Sequence, residues 1–245
     1  MPTRLVHLLI DAADPSGLAA FWAAALGWEV DSDEPEEVSV CPPGFSYPDP
    51  AVLPLTFVPV PDPKTVKNRV HLDLASASVA DQEATVRRVR GIGAVPADVG
   101  QGQVPWVVLA DPEGNEFCVL EPRPEYSDTG PIAAVVIDSA DPVAMARFWA
   151  AAAGWPQRSA DQEFASLRPA VAGGPYLEML RSRDAKTVKN RMHLDIAPYR
   201  SDDQRAEVSR LRESGATAVD IGQGDVTWVV LADIEGNEFC VLSPR

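Results

Sequence analysis

The sequence has only three cysteines in 245 residues, Cys41, Cys118 and Cys240, and no Cys-x-x-Cys pair. That excludes a disulfide framework and a cysteine-rich structural zinc site. No stretch approaches the ~18 to 20 unbroken apolar residues that a membrane span requires, and Met1-Pro-Thr-Arg-Leu5 lacks the apolar run of a signal peptide. A soluble, cytoplasmic protein is expected. Gly-x-Gly-x-x-Gly, a phosphate-binding lysine loop, Gly-x-Ser-x-Gly and His-Glu-x-x-His are all missing, so the motif grounds for dinucleotide, nucleotide, serine-hydrolase and zinc-protease chemistry go with them. Positive charge is also short, with 21 Lys and Arg against 36 Asp and Glu and a net charge of −15. Such a balance speaks against nucleic acid or an anionic membrane as partner and favours a cationic small-molecule ligand.

What the chain does have is repetition. Lys64-Thr-Val-Lys-Asn-Arg-Val-His-Leu-Asp-Leu74 returns as Lys186-Thr-Val-Lys-Asn-Arg-Met-His-Leu-Asp-Ile196. In each copy apolar residues alternate with His and Asp, the period-two pattern of a strand with one buried face. Leu72 and Leu74 lie on one side and His71 and Asp73 on the other; His193 and Asp195 repeat the arrangement. Two of the three histidines of the protein sit at this one spot.

The remainder repeats too. Leu5 to Asp11 reads as a strand with Val6, Leu8 and Ile10 on one face and His7, Leu9 and Asp11 on the other. Asp14-Pro15 opens a helix with an apolar stripe at Leu18, Phe21, Trp22, Ala25 and Leu26, ended by Gly27. The same pattern runs from Ile137 to Trp155. Between Trp28 and Lys64 lie an acidic run (Asp31 to Glu37), a proline-rich segment (Cys41 to Pro50) and two short apolar strand candidates; the prolines and glycines imply loops. Val86 and Val89 mark a more polar helix ending at Gly93, followed by a hairpin of Trp106 to Ala110 and Glu116 to Leu120 across a glycine-containing turn. Glu121 to Pro131 is proline-rich and aperiodic, a linker. Two domains result, residues 1–123 and 131–245 joined by 124–130, each of two half-units of about 60 residues that are too small to hold a core alone.

On these residues, above all Leu-Ala-Asp-Pro-Glu-Gly-Asn-Glu-Phe-Cys (109–118) and Asn-Arg-Val-His-Leu-Asp (68–73), each copy resembles a vicinal-oxygen-chelate domain, the superfamily of glyoxalase I, bleomycin-resistance proteins and extradiol dioxygenases. The resemblance implies an α+β fold of four βαβββ half-units that form two cupped sheets, each around a cavity. It also implies that metal ligands, where present, come from the first and last strands of each half-unit. Carried over, these positions are His7, Thr56, His71 and Cys118 in the first copy and Ala134, Glu178, His193 and Cys240 in the second. Neither set matches the usual two histidines and two glutamates. Each copy nevertheless keeps three metal-capable side chains, His7, His71 and Cys118 or Glu178, His193 and Cys240, with Glu178 also placed as a general base. Asp73, Asp195, Trp106 and Trp228 are candidate pocket residues.

Two functions follow. One is metal-free binding of a small, cationic organic molecule by a monomer or homodimer. The other is a lyase, isomerase or dioxygenase that uses a divalent metal such as Zn, Mn, Fe or Ni. The alternation pattern does not decide whether half-units pair within a copy or across copies.

Overall fold

The computed structural model describes residues 3–245; Met1 and Pro2, the first positions of the first expected domain, lie outside the described residues. The first half-unit runs β1 (Arg4–Ala12), α1 (Pro15–Leu26), β2 (Glu29–Glu34), β3 (Glu37–Cys41) and β4 (Leu55–Pro59). The second is β5 (Val70–Leu74), α2 (Val79–Gly91), β6 (Val95–Pro96), β7 (Val107–Ala110) and β8 (Glu116–Val119). A single 3-10 turn, Pro124–Tyr126, stands in the connection between copies. The third half-unit is β9 (Ile132–Ser139), α3 (Pro142–Ala153), β10 (Gln157–Ala160), β11 (Phe164–Leu167) and β12 (Tyr176–Arg181). The fourth is β13 (Met192–Ala197), α4 (Gln204–Glu213), β14 (Thr217–Ala218), β15 (Val229–Ala232) and β16 (Glu238–Val241).

Local chemistry sets these boundaries. Asp14 caps α1 by accepting from the Gly17 amide at 3.0 Å, Pro15 fills the first turn, and Gly27 closes the helix at φ 68°. Asp141, Pro142 and Gly154 repeat the device for α3. The acidic run Asp31 to Glu37 is not all loop: Asp31 to Glu34 end β2, whose residues are mostly exposed, residues 35–36 turn, and Glu37 opens β3. β2 occupies the sheet edge, where charged side chains cost little and discourage pairing with another chain.

The strands settle how half-units pair. One eight-stranded sheet has the order β14-β15-β16-β13-β1-β4-β3-β2 and the other β10-β11-β12-β9-β5-β8-β7-β6. The first half-unit is therefore joined to the fourth through antiparallel β1 and β13, and the second to the third through β5 and β9. Each sheet takes one half-unit from each copy. We call the cup of the first sheet cup A and that of the second cup B.

The helical layer ties the half-units in the other direction, within a copy. Trp22 of α1 packs edge-on against Phe117 of β8 at 5.1 Å and donates its indole N–H to buried Asp111 at 3.2 Å. Trp149, Phe239 and Asp233 repeat the contact. Asp111 also accepts from the amides of Glu113 and Asn115, so it organises the β7–β8 turn as well as receiving the tryptophan. Strands link across copies and helices link within them, and one apolar core runs through all four half-units.

The expected face assignment of β1 needs one correction. A bulge between Leu5 and His7 inserts a residue, so Val6 packs with Ala197, Val230, Cys240 and Leu242 on the concave side, apart from the main core that holds Leu8 and Ile10.

Candidate functional site

The copy-wise ligand sets do not assemble. Because half-units pair across copies, His7 meets His193 and Cys240 in cup A, while Glu178 joins His71 and Cys118 in cup B. The trio His7, His71 and Cys118 is split between sheets, as is the trio Glu178, His193 and Cys240.

In cup A the register places His7 opposite Asp195, and Asp195 opposite Cys240. His7 Nε2 lies 3.0 Å from one Asp195 oxygen and His193 Nδ1 lies 2.7 Å from the other. The remaining His7 nitrogen is 3.2 Å from Thr56 Oγ1, which is in turn 3.1 Å from Ser39 Oγ. Burial alone would push the Asp195 carboxyl up. The hydrogen bonds and charge of His193 and then His7 outweigh burial and hold it below the usual carboxylate range. Burial and the neighbouring Asp195, to which the thiol hydrogen-bonds, push Cys240 well above an ordinary thiol. Cup A is thus a closed donor–acceptor chain in which every Asp195 oxygen and both His7 nitrogens have a partner.

Cup B has the same Asp and Cys but lacks the second imidazole, because Ala134 stands where cup A has His7. His71 Nε2 is 3.5 Å from Asp73 Oδ1, too far for a good hydrogen bond, and that buried oxygen has no hydrogen-bond partner among the described residues. Ligand atoms of His71, Asp73 and Cys118 all lie within 4.8 Å of one another, as do those of His193, Asp195 and Cys240 in cup A, so the cups differ in how their carboxylates are satisfied and not in clustering. Glu178 is 5% exposed, and burial pushes its carboxyl up to about 7; the Tyr126 hydrogen bond opposes this and the Asp73 charge adds to it. Burial, then Asp73, raises Cys118 as Asp195 raises Cys240.

Tyr126 is the residue that the sequence reading misses. It comes from the connection between copies, packs with Cys118, Leu120 and Ala133 on the concave side of cup B, and donates its hydroxyl to Glu178 at 2.9 Å. Its ring meets Tyr176 edge-on at 5.5 Å, and Arg123 lies over both Tyr126 and Trp106. The one available signal is an aromatic residue in an otherwise polar, proline-rich linker. Of the two tryptophans named as pocket residues, Trp106 packs against this cluster, whereas Trp228 is 39% exposed.

The motifs that look most specific hold the half-units together. Arg191 binds Glu113, Asn115 and the carbonyls of Asp11 and Asp62 in the other copy; Arg69 binds Glu235, Asn237 and the carbonyls of Asp138 and Asp184.

A family model described as a glyoxalase-like domain matches the sequence twice, over residues 7–120 and 134–242. The chain belongs to that family. This glyoxalase-like protein is a tandem member of the vicinal-oxygen-chelate superfamily, with the α+β cupped-sheet fold expected from its sequence. No curated protein matches it at a significant level. Among solved structures it is similar to glyoxalase I from Zea mays, at 14% identity and a TM-score of 0.61 over 98% of this chain and 92% of that one. A candidate dioxygenase from Bacillus subtilis matches at 13% identity and a TM-score of 0.61, covering 100% of this chain and 86% of that one. These likenesses establish the fold. Among the described residues no helix is long and apolar enough to cross a membrane.

Proposed function

We propose that the glyoxalase-like protein binds a small organic molecule with the help of a divalent cation in cup B, held by His71, Asp73 and Cys118, with Glu178 beside it. The observation that carries this reading is the unpartnered buried oxygen of Asp73. An orphaned carboxylate oxygen is costly in a buried site, and a second carboxylate nearby adds repulsion that a cation would relieve. The donor set, one imidazole, one sulfur and one carboxylate, suits zinc, iron or nickel better than magnesium. Once bound, such a cation polarises ligand oxygens as a Lewis acid. Glu178 is then the group that can hold or release a proton near neutrality, and Tyr126 is the hydrogen-bond donor that positions it.

Cup A supports the metal-free alternative. Its carboxylate and its His7 imidazole already satisfy each other, and His193 Nε2 is the ring nitrogen of the pair with no hydrogen-bond partner among the described residues. A buried aspartate that orients an imidazole favours general acid–base work or plain ligand binding. Elemental analysis after dialysis against zinc tests the division: zinc retained by wild type and lost in His71→Ala supports it, and zinc retained unchanged in His71→Ala refutes it.

A further inference from the structure

A cavity of about 440 Å³ lies apart from both cups, between the duplicated segments that open with Lys64 and Lys186. Twenty residues line it, ten from each copy at repeat-related positions, and only Pro63/Ala185 and Val70/Met192 differ between the copies. The cavity therefore straddles the pseudo-two-fold axis relating the copies. The cups have diverged, as His7 against Ala134 and Thr56 against Glu178 show, while this lining has not.

Part of that identity has a structural cause. The six lining lysines and arginines are each paired with a carboxylate: Lys67 with Asp138, Lys189 with Asp11, and the other four with glutamates of the β7–β8 and β15–β16 turns and strands. Thr65, Val66, Thr187 and Val188 are exposed, and their side chains make no hydrogen bond among the described residues, yet they too are identical in both copies. Bracing half-units does not require them.

The charge around the cavity decides what could occupy it. The lining holds six bases and four acids, Asp11, Asp62, Asp138 and Asp184; once Asp11, Asp138 and the four glutamates behind the lining are matched to the six bases, Asp62 and Asp184 remain, one per copy. Both are exposed, and neither carboxylate has an ion-pair or hydrogen-bond partner among the described residues. Two unmatched negative charges in a protein of net charge −15 favour a ligand with two positive ones. Val66 and Val188, each 43% exposed, offer apolar surface from both copies.

We propose that this axial cavity is a second binding site, for a linear aliphatic diamine in its dicationic form. Its ammonium ends pair with Asp62 and Asp184, and its methylene body covers Val66 and Val188. The volume lies in the range of small-ligand pockets. The site is independent of the cups, so either assignment can fail without the other.

Calorimetric titration of the full chain with 1,5-diaminopentane tests the proposal, with n-pentylamine and glutarate as the one-charge and opposite-charge probes. The diamine should bind one per chain and at least about fivefold more tightly than n-pentylamine. Asp62→Asn and Asp184→Asn should each weaken it about fivefold, and together about 25-fold. Both positions are exposed, so these variants should melt like wild type, and His7→Ala should bind the diamine unchanged. The proposal is overturned by glutarate binding in place of the diamine, by equal affinity for n-pentylamine, by an unaltered double variant, or by no heat up to about 10 mM diamine.

Discussion

Cup A and cup B share a strand order, a carboxylate and a thiol, and differ in what completes them. In cup A two imidazoles close on Asp195 from opposite sides. In cup B one of those imidazoles is an alanine, the carboxylate keeps an unsatisfied oxygen, and a glutamate held by a linker tyrosine stands nearby. The same fold thus makes one site that is internally neutralised and one that carries an excess of buried negative charge. Cross-copy pairing permits this, because each cup combines half-units with different positions in the chain, and a single substitution changes only one cup.

The comparison is broken most forcefully at the two aspartates. Asp195→Ala removes the partner of two imidazoles and a thiol and should cost about 3–5 kcal/mol in urea unfolding. Asp73→Ala loses only the Cys118 thiol as partner and deletes an unsatisfied buried atom, so it should cost under about 1 kcal/mol. Equal losses would mean that the cups are energetically alike.

Glu178 gives the next largest effect, and its sign is fixed. Its carboxyl is raised from 4.5 to about 7, so the folded state holds this proton more tightly. Stability from this group is complete below about pH 4.5 and declines as pH rises through 7, amounting to about 3 kcal/mol at most. Glu178→Gln should flatten that decline and raise stability at pH 8 by about 1–3 kcal/mol. Asp195, held low, acts in the opposite sense, contributing stability that is lost as pH falls below the ordinary carboxylate range. Urea midpoints between pH 4 and 8 would show the Glu178 trend and midpoints below pH 4 the Asp195 trend, and a Glu178→Gln profile parallel to wild type would refute the first.

Tyr126→Phe removes one hydrogen bond and should cost about 1–2 kcal/mol near pH 8, where its acceptor is ionised, and less at pH 5. Thr56→Val, the smallest change, leaves the His7–Asp195 bond in place and should cost about 1 kcal/mol at either pH. A pH-independent Tyr126→Phe would show that its ring, and not its hydroxyl, matters to cup B.

Much of the frame was legible in the sequence, because helix caps, left-handed glycines and period-two alternation are local signals. Asp14-Pro15 and Gly27 bound a helix, and His71 and Asp73 share a strand face, on sequence grounds alone. Alternation says which face is buried but not which strand lies alongside, so the pairing of β1 with β13 left no trace in composition. That is why the sequence groups the metal-capable residues by copy, whereas the sheets group them by cup. A bulge at Val6 shifts a face without changing the residue types, and β2 is too acidic to resemble a strand unless its edge position is known. Tyr126 lay in a segment with no periodicity, where its role depends wholly on the tertiary fold.

The central claim is that cup B, and not cup A, is built for a divalent cation. Zinc uptake measured by elemental analysis on wild type, Asp73→Asn and His7→Ala tests it most directly. One zinc per chain in wild type and in His7→Ala, with uptake lost in Asp73→Asn, is the predicted result; no uptake, uptake unchanged in Asp73→Asn, or loss in His7→Ala would contradict it.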